Sequence, residues 1–395
     1  MKSFQEAYST IVHWRSYLFT IPLGASGKKF VEETTRLATA FAERSALESV
    51  ALQALMVMPA LLLQDPGGSL NHRQRADGLE RRLRLWSDGN IEELLLEGRV
   101  IQRQLEARMA RREKHKEDTT AKTFHRLMVQ GKVKSAIRLL SEPRRGQLLS
   151  LDQMVPDNDG ESSISVRETL ERKHPPGVPA AIDALLQEEP PETHPVLFDS
   201  LNGDKIRQAA IHTQGSAGPS GLDAPNWRRL CTMYHGASKR LCASLAGVAR
   251  RLCTLFVDPA LIHPLIACRL IPLSKNPGVR PIGVCETLRR IIGEAIMKVV
   301  GPEIQRVAGT SQLCAGQKSG CEAAVHAMQQ LFDGDGGAVL LVDASNAFNS
   351  LNREAMLHNL QVICPAFATC VINYYRAPAA LFVGGDSILS TESTT

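Results

Sequence analysis

Cysteine is missing from the first 230 residues, no two cysteines form a C-x-x-C pair, and the total of nine is odd. A disulfide framework needs cysteines that pair, and zinc or redox sites usually need close pairs. This usage therefore predicts free thiols in a reducing compartment. The N-terminus lacks the basic, apolar and small-residue sequence of an export signal. Together these absences predict an intracellular protein, cytoplasmic or nuclear, and not a secreted one. Long apolar runs are also lacking. The most apolar stretch, "VALQALMVMPALLLQ", is interrupted by Gln53, Pro59 and Gln64 and falls short of the ~20 residues a membrane span needs. It predicts a packed helix and no membrane partner. No repeat of fixed period is present.

What is present reads as a globular chain of 395 residues, 44% hydrophobic and 22% charged, long enough for two or three domains. The formal charge of +5 is unevenly distributed. Between Arg99 and Gly146 there are 14 Lys/Arg against 5 Asp/Glu, which leaves the rest of the chain acidic. Residues 28–64 and 90–140 show helical periodicity, with "QDPGGSLNHRQRADG" between them as a loop. Residues 1–140 thus predict a helical N-terminal region, and the helical first half is expected to fold more independently than the last hundred residues. Residues 141–216 are Pro-rich and linker-like, with short helices such as "AAIDALLQ". Beyond them, strand-like and helical segments alternate. Cys231, Cys242 and Cys253 recur every eleven residues, about three helical turns, which predicts one shared buried helix face.

Two stretches suggest chemistry. In "RLIPLSKNPGVRPIGV", two short apolar strands flank a Pro-Gly turn, giving a hairpin with Lys275 near its tip and Arg280 on its return arm. A basic hairpin taken alone is more often a solvated turn, but a point-charge ammonium and a planar guanidinium so placed can grip a polyphosphate. "ETLRRIIGEAIMKVV" then predicts an amphipathic helix with Arg289 and Arg290 on its polar side. In "GGAVLLVDASNAFNSLNRE", the apolar run Ala338 to Val342 predicts a buried strand aiming Asp343 from its end. "DGDGG" before it has the Asp-x-Asp spacing of a calcium loop without the third acid or the distant Glu, and reads as a turn.

In order, "GPSGLDAPNW", the Lys275–Arg280 hairpin, "QLCAGQKSGCEAAVHAM" and "LLVDASNAFNSLNR" resemble four blocks of the reverse transcriptases of non-long-terminal-repeat retroelements. The resemblance covers residues 217–353; no motif covers the first 200. It implies an α+β fold: a helix-rich N-terminal region, then the fingers (217–330) and an incomplete palm (331–395) of a right-hand polymerase. It also implies an RNA-directed DNA polymerase, a nucleotidyltransferase acting with two Mg²⁺ ions on deoxynucleoside triphosphates, an RNA template and a DNA primer. By the same resemblance Asp343 and the Ala344 carbonyl would hold metal. Phe348 would exclude a ribose 2′-hydroxyl, and Lys275 and Arg280 would hold the incoming triphosphate.

The family's later Asp-Asp hairpin has no counterpart, because no Asp-Asp dipeptide occurs in the chain. "ALFVGGDSILSTESTT" resembles the hairpin leading into the second palm motif, and the sequence stops there. The expectation is a truncated member, inactive alone. An alternative is a non-catalytic nucleic-acid-binding protein derived from a reverse transcriptase. The basic segment reads either as a solvated, charge-rich helix or as a nucleic-acid arm in which Arg108, Arg111, Arg112, Lys114 and Lys116 touch the phosphate backbone without reading sequence.

Overall fold

The computed structural model describes residues 2–15, 17–67, 70–113, 117–141, 147–157, 162–191, 195–275, 278–309, 312–313, 318–334, 338 and 340–392. Seven helices come first: α1 (Lys2–Ile11), α2 (Ala25–Ala42), α3 (Glu48–Leu62), α4 (His72–Ser87), α5 (Ile91–Glu113), α6 (Glu117–Val129) and α7 (Val133–Ser141). Helix α4 starts inside the stretch expected to be loop. Asn71 and Gln74 form a reciprocal capping box, each side chain accepting the other's backbone N–H at 2.9 Å. The apolar run forms α3, buried on nearly every side, with Pro59 in its last turn. No described helix is long and apolar enough to cross a membrane.

After α7 come a short ribbon of β1 (Met154–Pro156) with β2 (Ser163–Ser165), then α8 (Val166–Lys173), α9 (Gly203–His212), α10 (Ala224–Thr232), α11 (Gly236–Thr254) and α12 (Pro259–Ile266). Phe30 and Phe41 of α2 and Leu52 and Met56 of α3 lie in one apolar cluster with Leu241 and Leu245 of α11. The first half therefore does not stand apart. A helix apolar all round needs cover on all sides, and α3 takes part of it from α12. The three cysteines do not share one helix: Cys231 ends α10, while Cys242 and Cys253 lie on α11 beyond a break at His235, whose φ is 48°. All three are nevertheless buried.

Strands β3 (Cys268–Ser274) and β4 (Val279–Cys285) form the expected hairpin, followed by α13 (Thr287–Ala308), α14 (Gly320–Asp333), α15 (Ala347–Ser350), α16 (Arg353–Ile363) and α17 (Pro365–Tyr375). Strands β5 (Ala379–Val383) and β6 (Asp386–Ser390) complete a four-stranded sheet in the order β4-β3-β5-β6. Only the β3/β5 pair is parallel. Pro272 stands directly opposite Pro281. Neither has an N–H to give, so theirs is a non-hydrogen-bonded pair and costs the ladder nothing. The Pro272 carbonyl instead faces outward and accepts the Leu149 N–H at 3.0 Å, and the Ser274 N–H reaches the Gln147 carbonyl at 2.8 Å. Gly384 and Gly385, both at positive φ, make the tight β5/β6 turn.

The architecture is α+β and helix-dominated. Two further local expectations fail. Leu340, Leu341 and Val342 form no strand and are 87%, 80% and 81% exposed. A strand exists only where a neighbour completes its hydrogen bonds, and among the described residues none pairs with this segment. Arg289 is not on a polar helix face either. It is buried, with its guanidinium over the Tyr374 and Tyr375 rings at 5.0 and 5.3 Å, because α17 covers that side of α13.

Candidate functional site

The hairpin tip is closed by Lys275, whose N–H donates to the Gly278 carbonyl at 3.0 Å; Gly278 takes a φ of 87° that other residues resist. Lys275 and Arg280 are both exposed. A third cation joins them, one that no motif in the sequence marks. Lys173, at the C-terminal end of α8, has its ammonium pushed down by burial and then by the like charges of Lys275 and Arg280. Among the described residues no carboxylate lies within ion-pair distance of any of the three. Like charges gathered in this way favour a nearby anion.

The segment carrying Asp343 is tied to this cluster through its turn. Asn346, in the left-handed conformation at φ 54°, donates its amide to the Lys173 carbonyl at 2.9 Å and to Ser350 Oγ at 3.1 Å. Asn349 donates back to Asn346 Oδ1 at 3.0 Å. Downstream, Asn352 Nδ2 donates to the Val178 carbonyl and Glu354 accepts the Ala180 N–H, each at 2.8 Å. Asn359 both donates to the Ala184 carbonyl at 2.8 Å and accepts from the Leu186 N–H at 2.9 Å. The Pro-rich stretch 173–187 is thus a strap laid along α16, not a loose linker. Glu392 fixes its start, accepting the Val178 N–H at 2.7 Å and the Arg353 N–H at 2.6 Å.

Asp343 and Ala344 are exposed, as is the Phe348 ring. Among the described residues no group of three or more His, Cys, Asp or Glu is arranged to hold a metal ion. One carboxylate and one backbone carbonyl do not fit two Mg²⁺ ions, each of which wants near-octahedral oxygen.

Upstream, the "GPSG" block braces the hairpin's exit. A Cβ on Gly218 would lie 2.7 Å from Glu286 Cα, so only glycine fits there. Glu286, fully buried, accepts the Ser220 N–H at 2.6 Å and the Ser220 hydroxyl at 2.7 Å. Burial pushes its carboxyl up to about 7 despite those bonds and despite Arg269. Beside this corner lies a cleft of about 820 Å³, walled by Arg228, Arg269, Asp223 and Tyr17.

The basic segment contributes less than its charge suggests. Arg108 is tied to the Pro66 carbonyl and is half-buried, so it braces a loop. Arg111 is exposed on α5; of Arg112 only the helical backbone is described, and Lys114 and Lys116 lie outside the described residues. Much of "DGDGG" and of "QLCAGQ" likewise lies outside them. Comparison with protein-family models, with curated proteins and with solved structures yields no match.

Proposed function

We propose that the chain binds nucleoside triphosphates and nucleic-acid backbone as the fingers of a retroelement reverse transcriptase do, with Lys275, Arg280 and Lys173 facing the phosphates. The observation that carries the reading is the grouping of these three cations, none of them ion-paired among the described residues, with the Asp343 turn held by the Asn346 bond to the Lys173 carbonyl. The ordered sequence blocks supply the polymerase part of the reading. In it Asp343, Ala344 and Phe348 flank the bound nucleotide. Turnover by this chain alone is not part of the proposal, since its described acids do not complete a two-ion centre.

The test is titration of a fluorescent deoxynucleoside triphosphate. The Lys275→Ala/Arg280→Ala double variant should bind about tenfold to a hundredfold more weakly, the loss of one or two charge-assisted contacts. Equal affinity in the variant rejects the site. RNA affinity measured against salt should fall steeply and flatten when the cations of 99–146 are neutralised; a flat response in the intact chain rejects the backbone contact.

A further inference from the structure

Cys268 and Cys285 stand opposite each other at the open end of the β3/β4 hairpin, with their sulfurs 3.3 Å apart. Pair types alternate along an antiparallel ladder, so stepping by twos from Pro272 assigns Cys268–Cys285 to the non-hydrogen-bonded class as well. Such pairs hold their Cα atoms about 4.5 Å apart, within the span a disulfide bridges without backbone movement. We propose that Cys268 and Cys285 form an oxidisable dithiol, closed by a peroxide into a disulfide that locks the base of the hairpin and reopened by thiol reductants.

The surroundings divide the roles. Arg289 Nη1 lies 3.7 Å from the Cys285 sulfur. A hydrogen bond from Cys268, then the charges of Arg289 and Arg290, bring the Cys285 thiol down to about 6 against the opposing effect of burial. The hydrogen bond with Cys285 and then burial hold Cys268 protonated, and Glu286, the acid facing the pair, adds to them in the same direction. Cys285 is also the partly exposed member, while Cys268 is buried. Cys285 thiolate attacks the peroxide O–O bond, giving a sulfenic acid and releasing hydroxide. The Cys268 sulfur then displaces the sulfenic oxygen, which leaves as water with the thiol proton. Two thiols lose two electrons, and one peroxide becomes two waters. Among the described residues the other neighbouring thiols, Cys231 with Cys242 and Cys253 with Cys370, are buried on both sides and give an oxidant no entry.

The experiment treats the full native chain with hydrogen peroxide, blocks free thiols, and maps proteolytic peptides by mass. The expected product is a linked peptide pair joining Cys268 to Cys285, two hydrogens lighter than the reduced pair. It should form about tenfold faster than any link between the other buried cysteines and disappear with dithiothreitol. In Cys268→Ser, dimedone should label Cys285 as the stranded sulfenic acid. Exposed Cys321 oxidising while Cys268 and Cys285 stay reduced would overturn the proposal, as would a link that forms only in denaturant. The mapping uses the unmodified chain, so its outcome decides the matter even where a variant folds poorly.

Discussion

Substituting Glu286→Gln should change how stability depends on pH, and the size follows from burial. The carboxyl titrates near 4.5 when unfolded and at about 7 in the folded chain. Between those values the folded state holds a proton that the unfolded state releases. The contribution is therefore fully present below pH 4.5 and is lost as pH rises through 7. At 1.36 kcal/mol per unit, the ionised carboxylate costs about 3 kcal/mol by pH 8. Glutamine keeps the shape, accepts the Ser220 N–H and carries no charge. The variant should match the native chain near pH 4 and exceed it by about 3 kcal/mol near pH 8. His174 and His263, whose ring pKa values are depressed by burial, titrate in the opposite sense and remove stability as pH falls through the usual histidine range. Urea unfolding of both proteins at each pH, taken as a difference, cancels them. A difference flat from pH 5 to 8 would refute the claim that Glu286 is a buried acid desolvated by the "GPSG" corner.

Glu392→Ala leaves the Val178 and Arg353 N–H groups without their acceptor and should cost about 3 kcal/mol, two bonds to a charged group. Limited proteolysis should then cut within 175–187 faster than in the native chain. Leu341→Glu should shift the urea midpoint by less than about 0.5 kcal/mol and reduce aggregation, because the side chain is exposed; a loss of several kcal/mol would instead mean a buried strand. Asn346→Ala should destabilise by about 1–2 kcal/mol through the left-handed backbone and the lost bond to Lys173, with Asn346→Gly recovering the backbone part.

The hairpin at 268–285 is legible in the sequence because everything that makes it is local: two short apolar strands, a Pro-Gly turn, and prolines that oppose each other where no N–H is required. The burial of α3 is legible for the same reason, since an all-round apolar surface has one fate. Helix α4 is harder to see although its capping box stands in the text, because Pro66 and the glycines after it draw the loop boundary too far along. Arg289 escapes the pattern because helical periodicity gives a face but not what covers it, and the covering rings sit on α17, some 85 residues downstream. Lys173 has no local cue at all, since its meaning comes from two cations a hundred residues away.

The strap is the extreme case of this locality limit. Asn346, Asn352, Glu354 and Asn359 reach Lys173, Val178, Ala180 and Ala184, a nearly constant separation along the chain, so the two segments run in parallel register. Proline-rich text carries no periodicity to reveal such a partner, and polar side chains on a short helix read as solvated. The same arrangement accounts for the exposure of Leu340 to Val342. The strap secures the segment from Asn346 onward, while nothing described pairs with the three apolar residues before Asp343. The carboxylate is therefore positioned by the turn behind it, not by a strand leading to it. That makes Asn346, rather than the apolar run, the residue on which the geometry of the candidate site rests.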